Sequence, residues 1–236
     1  MISLERRNGR PLRIGHRGAA TLGPANTLSS FRLALETGVD LIEFDVCTDG
    51  DGAHVVAHSF GEIHPETPTL DDVLAFFVDE AREIGVHLDL KQFGREQEVV
   101  DALRRFDLLE RSFVSSVYIR TVRRMAGLGA PRCGITIPRA VLGISDDGRS
   151  APIARSGLRL LRFATPVLIR PLLWLTRSSA VVMHHSIVTE VSVRAAHARG
   201  AAVVTWTVDD PDELARVDRA GVDAIVTNDP RLFLSN

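Results

Sequence analysis

Two carboxylates, Glu43 and Asp45, interrupt an otherwise apolar run, Leu41-Ile42-Glu43-Phe44-Asp45-Val46. In an extended strand, residues two apart point to the same side. Both acids therefore face one way, and Ile42, Phe44 and Val46 face the other. His87-Leu88-Asp89-Leu90-Lys91 repeats the pattern later, with His87, Asp89 and Lys91 on one side. On a half-exposed antiparallel edge such a polar face is ordinary, but parallel strands between helices are buried on both faces. Carboxylates gathered there repel one another and lose hydration unless a cation neutralises them. Glu43, Asp45 and Asp89 form an all-oxygen donor set, which suits one Mg²⁺ or Ca²⁺ rather than zinc. A structural ion-pair network around Lys91 explains the same spacing, and both readings stand on spacing alone.

His16 and His58 are the next candidates. His16 lies in Gly15-His16-Arg17-Gly18, at the C-terminal end of a strand-like run, where barrel enzymes carry their catalytic groups. His58 ends a hairpin arm. Two histidines can act as base and acid near neutral pH. A lone histidine is more often structural. On that ground His54, His64, His184, His185 and His197 are read as structural, and His87 stands out only by sharing the face of Asp89.

The elements that must position these groups alternate. Strand-like runs are expected at Leu12–His16, Leu41–Val46, Val86–Lys91, Ser112–Val117, Arg132–Ile137, Ala180–His184, Ala201–Thr207 and Asp223–Thr227. Helices are expected at Thr27–Glu36, Thr69–Ile84, Glu96–Phe106, Ile119–Gly127, Val188–Arg199 and Pro211–Ala220. Thr69 reads as an N-cap with Asp72 in the capping-box position, and Gly200 and Gly221 sit where helix C-caps belong. Repeated strand–helix units imply a parallel sheet under helices. His54–His58, after the Asp51-Gly52 turn, makes a ninth strand with no helix before it. The expected fold is a (β/α)₈ TIM barrel with a short extra hairpin strand after the second barrel strand. A doubly wound open sheet is the alternative. The segment Pro138–Ser179 reads as one long irregular connection.

At 236 residues the chain fits a single barrel domain over 1–236. A formal net charge of −2 offers no field to attract nucleic acid. Cys47 and Cys133 fit neither a disulfide framework nor a metal-ligand spacing. The first ten residues hold no apolar run of signal-peptide length, and no run of about 18 apolar residues occurs, so a cytoplasmic location is expected.

The ordered set Gly15-His16-Arg17-Gly18, Pro24-Ala25-Asn26-Thr27, Glu43-Phe44-Asp45, His58 thirteen residues on, Thr67-Pro68-Thr69-Leu70 and Asp89-Leu90-Lys91 resembles the glycerophosphodiester phosphodiesterase family. Val204-Thr205-Trp206-Thr207-Val208 and Gly221–Pro230 resemble its last two strands. The resemblance implies that His16 and His58 are the acid–base pair, and that Glu43, Asp45 and Asp89 hold one divalent cation. It also implies that Arg17 and Lys91 bind phosphate oxygens and that Trp206 lines the pocket against glycerol. Trp206 is read equally well as a barrel-core aromatic. The implied reaction is metal-dependent hydrolysis of a small-molecule glycerophosphodiester to an alcohol and sn-glycerol 3-phosphate.

The chain departs from the family pattern. Ala25 stands where Glu is usual, Ser59 where Asp is usual and Asp89 where Glu is commoner. His58 and Asp89 are only 31 positions apart, so the usual insertion is cut short. Two rivals follow: a lysophospholipase D-like phosphodiesterase acting on lysolipids, and a catalytically degenerate binding protein. A metal-dependent amidohydrolase fits less well, because the first strand lacks a His-x-His pair.

One further segment stands out. Residues 155–177 mix apolar runs with Arg155, Arg159, Arg162, Arg170 and Arg177, which fall on one helical stripe. The plainer reading is a barrel helix with its apolar face on the strands and its arginines in water. Peripheral contact with a membrane or a partner chain is the other. Pro166 and Pro171 are expected to break the helix.

Overall fold

Short β-branched runs and capped helices take turns along the chain, and eight parallel strands close on themselves in the computed structural model. It describes residues 2–130, 132–137 and 152–234, with the side chains of 152–159 outside that description. The elements are β1 (Leu12–Gly15), α1 (Leu28–Glu36), β2 (Leu41–Thr48), β3 (His54–Val55), α2 (Leu70–Asp79), β4 (Gly85–Leu90), α3 (Glu96–Arg105), β5 (Ser112–Ser116), α4 (Ile119–Gly127), β6 (Cys133–Thr136), α5 (Pro152–Thr176), β7 (Ala180–His184), α6 (Glu190–His197), β8 (Ala202–Trp206), α7 (Pro211–Arg219) and β9 (Ala224–Thr227). β1 pairs in parallel with both β9 and β2, which closes the ring β1-β9-β8-β7-β6-β5-β4-β2. β3 lies outside the ring, antiparallel to β2, with Cys47 opposite Val55 and Thr48 opposite His54. This is the expected TIM barrel with its extra hairpin strand, and the open sheet is excluded.

Side chains alternate as the strand pleat requires. Ile42, Phe44, Val46, Leu88 and Leu90 point outward into the layer beneath the helices, with Phe31, Phe76 and Phe77. Leu12, Ile14, Leu41, Phe113, Ala180, Val182, Val204, Ala224 and Val226 fill the interior. Leu41, Glu43 and Asp45 share that inner face, so β2 runs from apolar core to buried acids towards its C-terminal end.

The helix ends follow local chemistry. Thr69 and Asp72 form the expected capping box, and Thr27 and Thr189 cap α1 and α6. Gly200 and Gly221 take φ of +67° and +88°, as C-terminal caps require.

Three expectations are corrected. The hairpin arm pairs only over His54–Val55, because Val56 N–H turns to the Pro68 carbonyl. α2 stops at Asp79 rather than Ile84, where the chain turns into β4. The connection taken as irregular is largely the 25-residue α5, which runs through Pro166 and Pro171; residues 138–151 lie outside the described residues. Each proline removes one rung, freeing the carbonyls of Arg162 and Val167, but both residues are on the exposed side, where water is available. Buried Thr165, Ile169, Leu173 and Thr176 hold the other side between α4 and α6.

The side chains of Arg155 and Arg159 lie outside the described residues. Arg162, Arg170 and Arg177 are exposed, as the plainer reading expects. The same helix also exposes Phe163, Val167 and Trp174, which that reading does not expect. Among the described residues, no helix is long and apolar enough to cross a membrane.

Candidate active site

The C-terminal ends of the strands surround a cavity of about 330 Å³ lined by His16, Arg17, Glu43, His58, His87, Asp89, Lys91, Ser115, Thr136 and Trp206, with Val117 and Tyr118 at its edge. Every residue the sequence singles out for chemistry lies in this wall except Asp45, which sits directly behind it.

The turn after β1 is built for close approach. A Cβ on Gly15 would fall 2.2 Å from the Gly18 carbonyl oxygen, and one on Gly18 would meet Ser30 Oγ at 2.3 Å. Arg17 between them takes φ of +49°, a conformation that costs a non-glycine residue about 1 kcal/mol and is found at functional sites. In return Arg17 N–H donates to Glu43 Oε2 at 2.9 Å, and Gly18 N–H donates to the Glu43 carbonyl.

Glu43, Asp45 and Asp89 each present an oxygen within 4.8 Å of the others'. Parallel pairing sets Asp45 beside Asp89 and Glu43 beside His87. Asp45 is fully buried. Its carboxylate meets Arg17 Nε at 2.9 Å, Lys91 Nζ at 2.7 Å and His58 Nδ1 at 3.3 Å. Lys91 Nζ also reaches Asp89 Oδ2 at 2.5 Å. Burial alone would push the Asp45 carboxyl up, but His58, Lys91 and Arg17 outweigh it and hold its pKa well below the usual range. Lys91 is likewise raised, since Asp89, Asp45 and Glu43 outweigh its own desolvation. Both readings of the spacing therefore meet here: an ion-pair network exists, and it contains a candidate cation seat.

Glu43 is the group that network leaves short. It is buried, and among the described residues no Lys or Arg side chain forms an ion pair with it; burial, then the Asp45 charge, push its pKa up to about 8 against the weaker pull of Lys91. Three carboxylates thus face two fixed cations. An all-oxygen donor set whose third carboxyl lacks a counter-charge fits a hard divalent ion, which would favour its ionised form.

The two histidines differ. His16 is mostly buried, and its Nδ1 lies 2.6 Å from Asn228 Oδ1. Asn228 Nδ2–H donates to Asp209 Oδ2 at 2.6 Å, which fixes Oδ1 as the acceptor. His16 therefore carries its proton on Nδ1 and keeps an Nε2 lone pair, 3.9 Å from Glu43 Oε2. Burial, then the Arg17 charge, lower its pKa. His58 is more exposed, and its Nδ1 lies 2.9 Å from Arg17 Nη2 and 3.3 Å from Asp45 Oδ2.

Several contributors escape the sequence reading. Asn26, at φ of +61°, brackets Asp45: its Nδ2–H donates to the carboxylate at 3.0 Å and its Oδ1 accepts Asp45 N–H at 3.2 Å. Ser115 Oγ–H donates to Asp89 at 2.6 Å and accepts from His87 Nε2 at 2.9 Å. His87 is buried, and burial lowers its pKa to about 4, so it is a neutral donor. His184, read as structural, packs edge-on against Trp206 at 5.5 Å. Ala25 and Ser59 are both exposed, and Glu62 Oε2 accepts the His58 N–H at 3.3 Å. Asn26 and Asn228 had a signal, their place in stretches that resemble the family. Ser115 had none.

Comparison with known proteins extends this picture. The model of the glycerophosphoryl diester phosphodiesterase family matches residues 16–63 and 59–232. A glycerophosphodiester phosphodiesterase of Arabidopsis thaliana is 27% identical over 94% of this chain and 72% of its own. One from Caldanaerobacter subterraneus is 25% identical over 94% and 96%. Among solved structures, a glycerophosphodiester phosphodiesterase from Parabacteroides distasonis aligns at TM-score 0.74 with 19% identity, over 96% of both chains. An Oleispira antarctica phosphodiesterase, solved in complex with the product sn-glycerol-3-phosphate, aligns at TM-score 0.71 with 21% identity, over 96% of both chains. At such identities the solved structures establish the fold.

Proposed function

The chain belongs to the glycerophosphoryl diester phosphodiesterase family, and from that premise we propose that it hydrolyses glycerophosphodiesters to an alcohol and sn-glycerol 3-phosphate with one divalent cation. The single observation that carries this reading is the convergence of His16 and His58 on the pocket that Glu43 and Asp89 line and Asp45 backs. Glu43, Asp45 and Asp89 would hold Mg²⁺ or Ca²⁺. When bound, the ion supplies positive charge that stabilises the phosphoryl oxygens.

The protein groups do the rest. Arg17 and Lys91 hold the phosphate oxygens. His16 Nε2 takes the proton of the glycerol 2-hydroxyl as that oxygen attacks phosphorus, because its lone pair is free and its lowered pKa keeps it so near neutrality. The bond from phosphorus to the leaving alcohol breaks, and His58 gives that alcohol its proton, with Asp45 beside it to balance the charge of the protonated ring. Water then opens the cyclic phosphate with the two roles exchanged. Trp206 closes the glycerol side of the cavity.

A lysolipid substrate is a second reading, favoured by the apolar mouth. Phe93 (61% exposed) packs on Tyr118 at 5.7 Å, beside exposed Val117. Glycerol 3-phosphate release from glycerophosphocholine, assayed beside choline release from detergent-solubilised lysophosphatidylcholine, separates the two. Turnover of neither diester with added Mg²⁺ or Ca²⁺ would leave the degenerate binding protein that Ala25 and Ser59 first suggested.

A further inference from the structure

α5 is the outlier of the barrel. At about 1.5 Å per residue its 25 residues span roughly 37 Å, whereas the other six helices have eight to ten residues each. It enters from the strand ends that surround the pocket, where Arg162 Nε donates to the Ser186 carbonyl after β7 at 2.6 Å. Its buried side, Thr165, Ile169, Leu173 and Thr176, is narrow and half polar.

The opposite side is apolar and uncovered. Leu160 (68% exposed), Phe163 (81%), Val167 (71%) and Trp174 (77%) fall within an arc of about 80° at 100° per residue. Pro171 lies in the same arc and is exposed. Arg170 and Arg177 run along one edge of it, and Leu168 and Leu175 along the other. From Pro152 to Thr176 the helix has no Asp or Glu. A depression beside Trp174 is lined by Arg170 and Arg199. Among the described residues, no carboxylate pairs with Arg170, Arg177 or Arg199.

We propose that α5 lies in the surface of an anionic lipid bilayer, with Phe163, Val167 and Trp174 among the acyl chains and Arg170, Arg177 and Arg199 on lipid phosphates. Barrel helices ordinarily turn polar residues to water, and this one turns a continuous apolar stripe outward. Charge complementarity selects the occupant: unpaired arginines beside an apolar stripe suit anionic headgroups over buried acyl chains. Trp174 is the residue type favoured where one end is apolar and the other wet. The proposal does not depend on which diester the pocket cleaves.

The test is co-sedimentation of the full chain with phosphatidylcholine–phosphatidylglycerol vesicles and with pure phosphatidylcholine vesicles. Wild type should partition at least roughly tenfold better to the anionic vesicles and lose binding as salt rises. Arg170→Ser and Arg199→Ser should each weaken partitioning by roughly fivefold. The triple variant Phe163→Ser, Val167→Ser, Trp174→Ser changes only exposed side chains, so it should fold, as circular dichroism checks. It should lose vesicle binding while turnover of water-soluble glycerophosphocholine is unchanged. Failure of wild type to sediment with anionic vesicles would overturn the proposal, as would undiminished binding by the triple variant. So would a concentration-dependent dimer, seen by analytical ultracentrifugation without lipid and abolished in the triple variant, because the stripe would then be a protein interface.

Discussion

His16 Nδ1 lies 2.6 Å from Asn228 Oδ1, and that contact decides which nitrogen of the imidazole is basic. Asp209 holds the Asn228 amide in place, so a carboxylate at the rim orients the ring without touching it. His16→Ala should cut turnover by roughly 10²–10⁴ with the fold intact. Asn228→Ala, which frees the ring but keeps it, should cost roughly tenfold, mainly in kcat. Full activity in Asn228→Ala would show that the tautomer is set by another group.

His58 is expected to be as important and less embedded. His58→Ala should also lower turnover by roughly 10²–10⁴, with an unfolding midpoint close to wild type because the ring is 44% exposed. A leaving group that needs no proton, such as a nitrophenolate, should recover most of the lost rate. An equal loss with that substrate would remove His58 from the acid role.

Two of the three carboxylates, Asp45 and Glu43, should separate in stability. Asp45 sits among Arg17, Lys91 and His58, so Asp45→Asn breaks a buried network and should cost about 2–4 kcal/mol in urea denaturation of chelator-treated protein. Among the described residues Glu43 forms no ion pair with a Lys or Arg side chain, and burial and Asp45 destabilise its charge more than Lys91 favours it. Glu43→Gln should therefore be within about 1 kcal/mol of wild type, or more stable, under the same conditions. The opposite order would mean that the charge distribution described here is wrong.

Much of this site was legible because its strands keep their own alternation. Glu43, Asp45, Asp89 and Lys91 could be assigned to one face from a period of two, and β2 and β4 then needed only correct pairing. Asn26, Ser115 and Asn228 could not be found that way. Their partners lie 19, 26 and 212 positions away, joined by barrel closure rather than by local pattern. α5 was misjudged for another reason. Pro166 and Pro171 predict a break, but packing of Ile169 and Leu173 carries the helix across both, and no local rule weighs that tertiary term.

The opposite end of the barrel makes a pH prediction. Asp40 accepts from Arg10 Nη1 at 2.6 Å, Arg7 Nη1 at 2.9 Å and Arg13 N–H at 2.8 Å. Burial would push its pKa up, but the Arg10 and Arg13 hydrogen bonds outweigh it and the pKa is lowered. A carboxyl with a lowered folded pKa stabilises above its unfolded value and loses that contribution as pH falls through the folded one. Because the arginines are partly exposed, Asp40→Asn should cost about 1–2 kcal/mol at neutral pH. The gap should close in acid, below about pH 3.9. A gap that stays constant down to strongly acid pH would mean that charge is not what Asp40 contributes.

One divalent cation, held by Glu43, Asp45 and Asp89, should be required for turnover. The most direct measurement titrates chelator-treated protein with Mg²⁺ and with Ca²⁺, following bound ion by calorimetry and glycerol 3-phosphate release from glycerophosphocholine in the same samples. One ion per chain is expected, with turnover that rises in step with occupancy and loss of both in Asp89→Asn. Full turnover by the chelated protein with no ion bound would contradict it.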